Sequence, residues 1–360
     1  MRVAIVAEYY PRRADPSLGI WAHRQALAAR DAGAGVEVFV LHRPRSLALL
    51  RQPLVNHLDG IRVNYVPFVA PPRPRSYPRW GAWAAPALAA ALRVRGRFDL
   101  VHAHYAVPAG DAVRRARMKL PLVISVHGGD VLGVAERWSG GREAVGRAFG
   151  AARLVLANSA AIAERSRALG ARHVRVVHLG TDVPAEPSSG TALVTVGNLI
   201  ARKRHADVLR ALARLEQPPP YVIVGDGPER AALERLADGL DVEFRGRLAP
   251  ADALRVAQNA GAFVLASVEE AFGVAYIEAM AAGVPAIGTR GEPGPEEIAA
   301  SGGGMTLVDA GDIDGLAEAI RAVTADRAAL GAAARANVEA GFTWAQCGRA
   351  TVAAYEEALG

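Results

Sequence analysis

Short runs of aliphatic and β-branched residues alternate along the chain with longer segments in which apolar residues recur every three or four positions. The short runs are typical of strands buried on both faces, and the longer spacing is typical of amphipathic helices. Strands are predicted at 3–8, 36–41, 61–67, 100–104, 122–127, 154–158, 174–178, 192–196, 221–225, 242–245, 263–266, 284–287 and 305–308. Strands that alternate with helices in this way indicate βα units on parallel sheets, so the predicted fold class is α/β.

One stretch interrupts this alternation. The sequence DVPAEPSSG is rich in Pro, Ser and Gly, has no apolar period and predicts a linker. A chain of 360 residues also exceeds the usual size of one hydrophobic core. We therefore predict two Rossmann-like domains facing a central cleft, at 1–183 and 191–342, joined by a linker at 184–190. Residues 343–360 predict an amphipathic helix that has Thr343 as its N-cap and packs towards the first domain.

Composition excludes several classes of protein. With 51% hydrophobic and 22% charged residues, the chain is typical of a globular protein. Cys347 is the only cysteine, so an intrachain disulfide is excluded. Glu8 interrupts the N-terminal apolar run too early for a signal peptide, and no apolar run reaches the ~18 residues of a membrane-spanning helix. These observations predict a cytoplasmic protein, soluble or peripheral on the inner face of the cell membrane.

Charge is distributed unevenly between the two halves. Residues 1–186 contain 27 Lys/Arg and 13 Asp/Glu, whereas residues 187–360 contain 15 and 23. This asymmetry indicates an anionic partner for the first half, either a membrane surface or a nucleic acid. The segment 71–97 combines Arg, Trp and Tyr with an Ala/Leu-rich helix, which favours an anionic membrane surface. We expect no nucleic acid.

Two strand ends of the second half are suited to phosphate. The strand in VTVGNLIARKRH leads into a loop that contains Arg202, Lys203 and Arg204, and cations at such a position bind phosphate. The strand in YVIVGDGPER is followed by Gly225 and Gly227, where a backbone can approach a ligand closely. A simple turn would explain the Gly-Asp-Gly-Pro sequence equally well.

The stretch EEAFGVAYIEAMAAGVP places Glu270 and Glu278 on either side of a predicted helix start near Phe272 or Gly273. The free backbone N–H groups there, from Phe272 to Val274, predict an anion site. A diphosphate at this helix start would place a nucleoside near Glu278 and the group beyond the second phosphate near Glu270. The alternative is a surface helix with two solvated carboxylates.

These motifs resemble those of the retaining glycosyltransferases with the GT-B fold, specifically glycosyltransferase family 4. EEAFGVAYIEAMAAGVPAIG is similar to that family's pair of glutamates separated by seven residues. The resemblance implies that Glu270 is a catalytic residue that contacts the donor sugar, and that Glu278 holds the ribose. Gly225 and Gly227 then match landmarks on the nucleoside side.

VGNLIARK is similar to the family's phosphate-binding loop. The resemblance implies that Lys203 contacts the donor diphosphate, together with the helix start at Phe272, Gly273 and Val274. Asn198 stands where the family often has an arginine, and Arg202 is the candidate replacement.

The first half agrees with the same family, and the resemblance implies that the domain at 1–183 is on the acceptor side and that the domain at 191–342 binds the nucleotide-sugar. PSLGIWAHRQALAARDAG resembles an N-terminal loop whose glycine, here Gly19, lets the backbone reach the donor phosphates. In VISVHGGDV, His127 corresponds to a catalytic histidine near the transferred sugar, although a lone histidine at a strand end is more often structural. His104, Asp130 and Asn198 are further candidate contacts to donor or acceptor.

Two absent motifs and the context of a third narrow the set of possible reactions. The chain has no G-x-x-x-x-G-K-[ST] phosphate loop and no G-x-G-x-x-G after its first strand, which argues against such ATPases and dinucleotide oxidoreductases. Asp312-Ile313-Asp314 has the D-x-D form of a metal site, but it precedes an amphipathic helix and predicts an N-cap instead. We expect neither a metal nor another cofactor.

The resemblance implies a hexosyltransferase (EC 2.4) that moves a hexose from a nucleotide-sugar to a glycan or lipid-linked acceptor in cell-envelope or exopolysaccharide synthesis. It further implies retention of configuration, with the leaving diphosphate accepting the proton of the acceptor. UDP- and GDP-sugars are both open as donors. A nucleotide-sugar epimerase or hydrolase on the same fold and a non-catalytic two-lobed sugar-binding protein are the alternatives.

Overall fold

The computed structural model describes residues 1–13, 15–44, 54–73 and 76–360. These residues form two compact units. Unit 1 comprises residues 1–179 together with 344–360, and unit 2 comprises residues 180–343. Each unit contains its own sheet and its own hydrophobic core.

Unit 1 is built on an eight-stranded sheet with helices on its faces. Its strands are β1 (Arg2–Ala7), β2 (Gly35–His42), β3 (Val55–Leu58), β4 (Ile61–Pro67), β5 (Leu100–His104), β6 (Leu122–Val126), β7 (Leu154–Ala157) and β8 (Val174–Val176). Its first helices are α1 (Ile20–Asp31), α2 (Trp80–Arg95), α3 (Asp111–Ala116), α4 (Ala135–Arg137), α5 (Gly141–Ala151) and α6 (Ala160–Ala168). The strand order is β3-β4-β2-β1-β5-β6-β7-β8, and all neighbours are parallel except β3 and β4.

The antiparallel strand β3 was not among the predicted strands. It forms a hairpin with β4 in which Leu58 pairs with Ile61, so Asp59 and Gly60 make the turn. Both turn residues have positive φ, 47° and 79°, as a tight two-residue hairpin turn requires. The Asp-Gly dipeptide was therefore the sequence signal for this hairpin.

Unit 2 is built on a six-stranded parallel sheet in the order β11-β10-β9-β12-β13-β14. Its strands are β9 (Leu193–Val196), β10 (Tyr221–Val224), β11 (Val242–Gly246), β12 (Ala262–Val264), β13 (Ala286–Thr289) and β14 (Met305–Val308). Its helices are α7 (His205–Leu212), α8 (Arg230–Leu236), α9 (Pro250–Gln258), α10 (Val274–Met280), α11 (Pro293–Ser301), α12 (Ile313–Ala325) and α13 (Arg327–Gly341). Every predicted strand of both halves is present, and the α/β fold class is confirmed.

The predicted linker has no helix or strand, and it packs on unit 2. The backbone N–H of Ser188 donates to the carbonyl of Ala282 at 2.7 Å, and its hydroxyl donates to the carbonyl of Ala260, also at 2.7 Å. Arg335 donates to the carbonyl of Pro184 at 2.8 Å. The segment is thus fixed to unit 2 by its backbone polar groups.

The last helix, α14 (Trp344–Leu359), belongs to unit 1, where it packs on α1. The Tyr355 hydroxyl lies 2.7 Å from Nδ1 of His102 in β5, and Gln25 in α1 donates to Thr351 at 3.1 Å. A Cβ on Gly348 would lie 2.2 Å from the carbonyl oxygen of Ala28, so this close approach requires glycine. The helix begins at Trp344, directly after Thr343. Among the described residues, no helix combines the length and apolar character that a membrane span requires.

Candidate active site

The order of the strands reverses at one point in each sheet, between β1 and β5 in unit 1 and between β9 and β12 in unit 2. Ligands of open α/β sheets bind beyond the carboxyl ends of the strands at such points. The loops that follow β9 and β12 contain the predicted phosphate and sugar residues of unit 2. Of the predicted histidines of unit 1, His104 is the last residue of β5 and His127 directly follows β6.

In unit 2 the structure brings Lys203 and Glu270 into direct contact. Nζ of Lys203 lies 2.5 Å from Oε2 of Glu270, and the Ser267 hydroxyl donates to the same oxygen at 3.1 Å. The two charged side chains are only 12% and 13% exposed. An ion pair that has lost this much water is sensitive to the removal of either partner. The predicted phosphate ligand and the predicted sugar ligand therefore form one charge pair.

The cations beside Lys203 differ in their partners. The guanidinium of Arg204 pairs with Asp207 at 2.6 Å, and Arg210 pairs with the same carboxylate at 3.1 Å. Arg202, which is half-buried, makes no side-chain hydrogen bond or ion pair with any residue that the structure describes. Of the two neighbours of Lys203, Arg202 is thus the one whose charge is available to an anion.

Helix α10 begins at Val274, one or two residues later than predicted. Gly273 has φ 79°, in the left-handed region, so the preceding turn cannot be helical. Phe272 is 2% exposed, so its side chain is committed to the core. The backbone N–H of Glu270 donates to Glu292 at 2.8 Å, which fixes the loop ahead of the helix. Glu278 lies on the second turn and is half-buried.

Gly225 and Gly227 have a packing role that needs no ligand. A Cβ on Gly225 would lie 1.9 Å from the carbonyl oxygen of Gly197, and one on Gly227 would lie 2.3 Å from that of Leu199. The loop after β10 therefore packs against the loop after β9. Asn198 lies in the loop after β9. Its side chain is exposed, and its backbone carbonyl oxygen lies 3.1 Å from Nε2 of His205.

In unit 1 the structure pairs the two predicted histidines. Nδ1 of His104 lies 2.9 Å from Nε2 of His127, and the two rings are inclined by only 6°. The register of β5 on β6 explains this, because His104 pairs with Ser125 and His127 follows two residues later. Burial lowers the pKa of His104 to about 3 and lowers that of His127 well below its usual value, so both rings are neutral at pH 7.

Each ring of this pair has one buried nitrogen left over. Nε2 of His104 and Nδ1 of His127 make no hydrogen bond to a described residue. Asp130, which is fully buried, accepts a hydrogen bond from the backbone N–H of Ala106 at 3.1 Å through Oδ2, and the backbone of His127, Asp130 and Val131 also stabilises its carboxylate. Burial raises the pKa of Asp130 to about 6. Buried polar atoms usually have a partner, so the two remaining histidine nitrogens make this pair a candidate for contact with a ligand.

A second row of polar contacts lies behind the pair. His102 bonds to the Tyr355 hydroxyl through Nδ1 and to the Ser125 hydroxyl through Nε2, both at 2.7 Å. Its ring centre is 4.5 Å from that of His104. Helix α14 therefore supports the strand that carries His104.

Gly19 precedes α1 in unit 1. A Cβ at this position would lie 2.2 Å from the carbonyl oxygen of Tyr9, and the residue has φ 65°. The close packing of this loop on the end of β1 therefore requires glycine. A phosphate contact from the Gly19 backbone stays a prediction.

Two family models match the chain. The model described as Glycosyltransferase Family 4 matches residues 19–184, and the model described as Glycosyl transferases group 1 matches residues 182–339. The chain belongs to glycosyltransferase family 4. The two models divide this glycosyltransferase close to the boundary between its compact units.

Relatives and solved structures agree with this assignment. The glycosyltransferase is 27% identical over 330 residues to the putative teichuronic acid biosynthesis glycosyltransferase TuaC of Bacillus subtilis, with 80% of this chain and 81% of the relative covered. Sucrose-phosphate synthase from Thermosynechococcus elongatus has the same fold, with a TM-score of 0.80, 20% identity and coverage of 99% and 98%. Anabaena HepE, solved in complex with UDP and glucose, has a TM-score of 0.74, 20% identity and 99% coverage of both chains. These structures have the two-domain GT-B fold, and this chain shares it, as predicted.

In the structure, Asp312 of the D-x-D sequence is the N-cap of α12. The carboxylate of Asp312 accepts a hydrogen bond from the backbone N–H of Gly315 at 2.9 Å, and Asp314 pairs with Arg214. Within the described part of the chain, no three His, Cys, Asp or Glu side chains are grouped so that they could hold a metal ion.

One cavity of the glycosyltransferase was missed by the sequence analysis. It has a volume of about 560 Å³ and lies at the carboxyl edge of the unit 1 sheet. We call it the arginine pocket, because Arg12, Arg43 and Arg73 line it together with His42 and Trp80. The signals for it in the sequence are the polar residues that follow β1 and end β2, in EYYPRR and HRP.

The buried histidines predict that the glycosyltransferase loses stability in acid. Burial lowers the pKa of His102, His104 and His127 below the value near 6.5 of an unfolded chain. Below about pH 6.5 the unfolded chain therefore binds protons that the folded chain does not, and the free energy of unfolding falls. We expect His104→Asn to reduce the slope of that free energy between pH 4 and 6 by about 1 kcal/mol per pH unit.

Urea unfolding at a series of pH values measures this slope. Asp130 acts in the opposite direction, because its pKa is raised to about 6 and the folded chain keeps a proton there that the unfolded chain loses. The exposed His173 provides the matched control, His173→Asn. Equal slopes for His104→Asn and for the parent protein would show that His104 does not titrate as its burial requires.

Proposed function

We propose that this glycosyltransferase moves a hexose from a nucleoside diphosphate sugar to a hydroxyl group of a glycan or lipid-linked acceptor, with retention of configuration. The observation that carries the proposal is the Lys203–Glu270 pair at the reversal point of the unit 2 sheet. A cation and a carboxylate in contact there provide a ligand for the diphosphate and an acceptor for sugar hydroxyls.

The groups of the donor are assigned to residues of unit 2 as follows. Lys203 and Arg202 bind the diphosphate at the loop that leads into α10, and Glu278 binds the ribose. Glu270 binds hydroxyls of the hexose. When the diphosphate binds, Lys203 contacts both the phosphate and Glu270. Donor binding therefore rearranges an ion pair that is already formed.

The chemistry requires no nucleophile from the protein. The bond between the anomeric carbon and the phosphate oxygen breaks, and the diphosphate leaves with the electron pair. The acceptor oxygen forms the new bond on the same face, and its proton passes to the leaving phosphate. His127, neutral and paired with His104, donates or accepts a hydrogen bond to the hexose without adding charge to the site.

The relatives support the choice of substrates. The name of TuaC places that protein in teichuronic acid biosynthesis, which favours a cell-envelope acceptor. HepE holds UDP and glucose in its crystal structure, which favours a UDP-hexose, while GDP-hexoses are the second class of donor to test.

A panel of UDP- and GDP-hexoses, scored for binding and for slow hydrolysis of the donor, tests this function. We expect one donor to bind and to be hydrolysed slowly without an acceptor, with the anomeric configuration of the released sugar retained. Binding with no turnover on any acceptor would support a sugar-binding protein instead. Conversion of the sugar without release of nucleoside diphosphate would support an epimerase.

Activity is expected to be independent of divalent metal. The D-x-D carboxylate that would hold a metal is used as the cap of α12. We expect activity within about twofold of the parent value in EDTA and for Asp312→Asn, because asparagine is an equally good N-cap. Asp312→Ala should lower the free energy of unfolding by about 1 kcal/mol. A requirement for added Mg²⁺ or Mn²⁺ would contradict this expectation.

Unit 1 is expected to dock on anionic membrane through the exposed side of α2. Trp83 and Val94 on this helix are 39% and 83% exposed, and nearby Val69 is 85% exposed. Arg79 and Arg93 are also exposed. Of the segment 71–97, residues 74–75 lie outside the described part of the chain. Exposed apolar side chains beside arginines suit a membrane interface, where each cation contributes ~1 kcal/mol.

Flotation with vesicles measures this docking. We expect recovery with vesicles that contain phosphatidylglycerol, little recovery with phosphatidylcholine alone, and loss in high salt or for Arg93→Glu. Recovery that depends on neither anionic lipid nor salt would remove the membrane surface from the proposal.

A further inference from the structure

The arginine pocket contains a histidine whose ring nitrogens have no hydrogen-bond partner among the described residues. His42 ends β2 and is 9% exposed, and neither of its ring nitrogens makes a hydrogen bond to a described residue. Burial, and secondarily the charge of Arg12, lowers the pKa of His42, so the ring is neutral at pH 7. A neutral imidazole has one donor and one acceptor, and buried groups of this kind are normally satisfied. A ligand group that both accepts and donates hydrogen bonds would satisfy the two nitrogens of this ring.

The pocket also contains a fixed cation. Nε of Arg43 donates to the carbonyl of Ala70 at 2.7 Å, and its guanidinium lies 5.3 Å from the centre of the Trp80 ring. No carboxylate of a described residue pairs with it. Its two terminal nitrogens therefore have no acceptor among the described residues, and a guanidinium held in one orientation matches an oxyanion such as phosphate.

The other charges around the pocket are better matched. Arg73 pairs with Glu8 at 2.6 Å, and the Tyr77 hydroxyl donates to the other oxygen of Glu8 at 2.7 Å. Asp15, which also lines the pocket, accepts from the Ser17 hydroxyl at 2.7 Å and is an acceptor suited to ligand hydroxyls. The lining therefore combines one unmatched cation with hydroxyl-binding groups.

The arginine pocket continues towards the paired histidines. A second cavity of about 240 Å³ shares Tyr9 and Arg73 with it and is also lined by Tyr105. The ring of Tyr105 lies 5.2 Å from that of His127. The arginine pocket itself, at about 560 Å³, is within the usual range of about 300–1,000 Å³ for ligand sites.

We propose that the arginine pocket binds the acceptor, and that the acceptor is a sugar or polyol bearing a phosphate group. Arg43 holds the phosphate, His42 and Asp15 hold hydroxyls, and the reacting hydroxyl extends through the smaller cavity to His127. The proposal rests on the proposed function, since it names the acceptor class of that reaction. The phosphate belongs either to a soluble ester or to a lipid headgroup.

Calorimetric titration with matched probes tests the pocket. The probes are glucose 6-phosphate against glucose, and inositol 1-phosphate against inositol. We expect at least one phosphorylated probe to bind tenfold or more tightly than its neutral counterpart. Arg43→Gln should remove that difference, and the exposed Arg172→Gln should keep it. Equal affinities for both members of both pairs, or a difference that survives Arg43→Gln, would overturn the proposal.

Two further measurements keep the test decisive. His42→Phe should weaken the binding of the phosphorylated probe at least fivefold and leave the unfolding midpoint unchanged. An unchanged affinity would exclude His42 from the site. Vesicles containing phosphatidylinositol form the lipid arm. Binding to vesicles that Arg43→Gln abolishes indicates a lipid headgroup in the pocket, whereas binding that it does not change indicates docking through the exposed side of α2 and assigns the phosphate to a soluble ester. Nucleoside diphosphate binding should be unaffected in all these variants, so failure of the pocket is distinguishable from failure of the transferase proposal.

Discussion

Glu270→Gln is expected to lower kcat by about 10- to 100-fold while nucleoside diphosphate binds as tightly as to the parent protein, or more tightly. The loss of kcat follows from a charge-assisted hydrogen bond to the hexose that strengthens as the sugar becomes electron-deficient, worth ~1.5–3 kcal/mol. The binding result follows from the structure. Glu270 holds the ammonium of Lys203 at 2.5 Å, and removal of its charge frees Lys203 for the diphosphate.

Glu278→Gln is the comparison variant. Because Glu278 is assigned to the ribose, its substitution should weaken the binding of nucleoside diphosphate and of nucleotide-sugar by the same factor. Its effect on kcat should be smaller than that of Glu270→Gln. Steady-state kinetics and calorimetric binding on both variants separate the roles. Two variants with parental kinetics and stability would mean that neither glutamate contacts the donor.

Lys203→Ala is expected to weaken the binding of nucleoside diphosphate and of intact donor alike, by about 10- to 100-fold. The charge-assisted contact with phosphate is lost, and Glu270, 13% exposed, is left without its cation. The unpaired carboxylate also repels the diphosphate. Unfolding should therefore occur at a lower temperature in the absence of ligand.

Arg202→Ala and Arg210→Ala separate the contributions of the neighbouring cations. Arg202 pairs with no described residue, so Arg202→Ala should also weaken the binding of the diphosphate. Arg210 already pairs with Asp207, so Arg210→Ala serves as the control. If Lys203→Ala bound the free diphosphate as well as the parent does, the phosphate site would have to be assigned to Arg202 alone.

The strands and the two-unit α/β fold were predictable because a buried parallel strand needs a short continuous apolar run, as in the YVIV of β10. The placement of His127 beside His104 follows once β5 and β6 are known to be neighbours. Contacts across long sequence separations were not predictable in this way. The Lys203–Glu270 pair depends on which strands are adjacent, a property of the sheet order rather than of either loop.

The arginine pocket was missed for a related reason. Its residues come from the segments that follow β1 and β4, from the end of β2 and from the start of α2, and each of its charged residues alone is typical of a polar loop. His42 ends an apolar strand and has no sequence feature that separates an unsatisfied histidine from a satisfied one. Only the packed structure shows that its ring nitrogens are buried without partners.

The return of α14 to unit 1 has a consequence for the order in which the protein folds during translation. The segment 344–360 leaves the ribosome only after all of residues 180–343, so the nascent unit 1 waits through the synthesis of unit 2 before it can be completed. During that interval the apolar surface that Cys347, Ala354 and Tyr355 later cover is exposed, and His102 lacks its hydroxyl partner. Unit 2 is contiguous in sequence and can form as soon as it emerges. The half of the chain that is made first is therefore the half that is finished last, and its open face is the surface that a chaperone would be expected to bind.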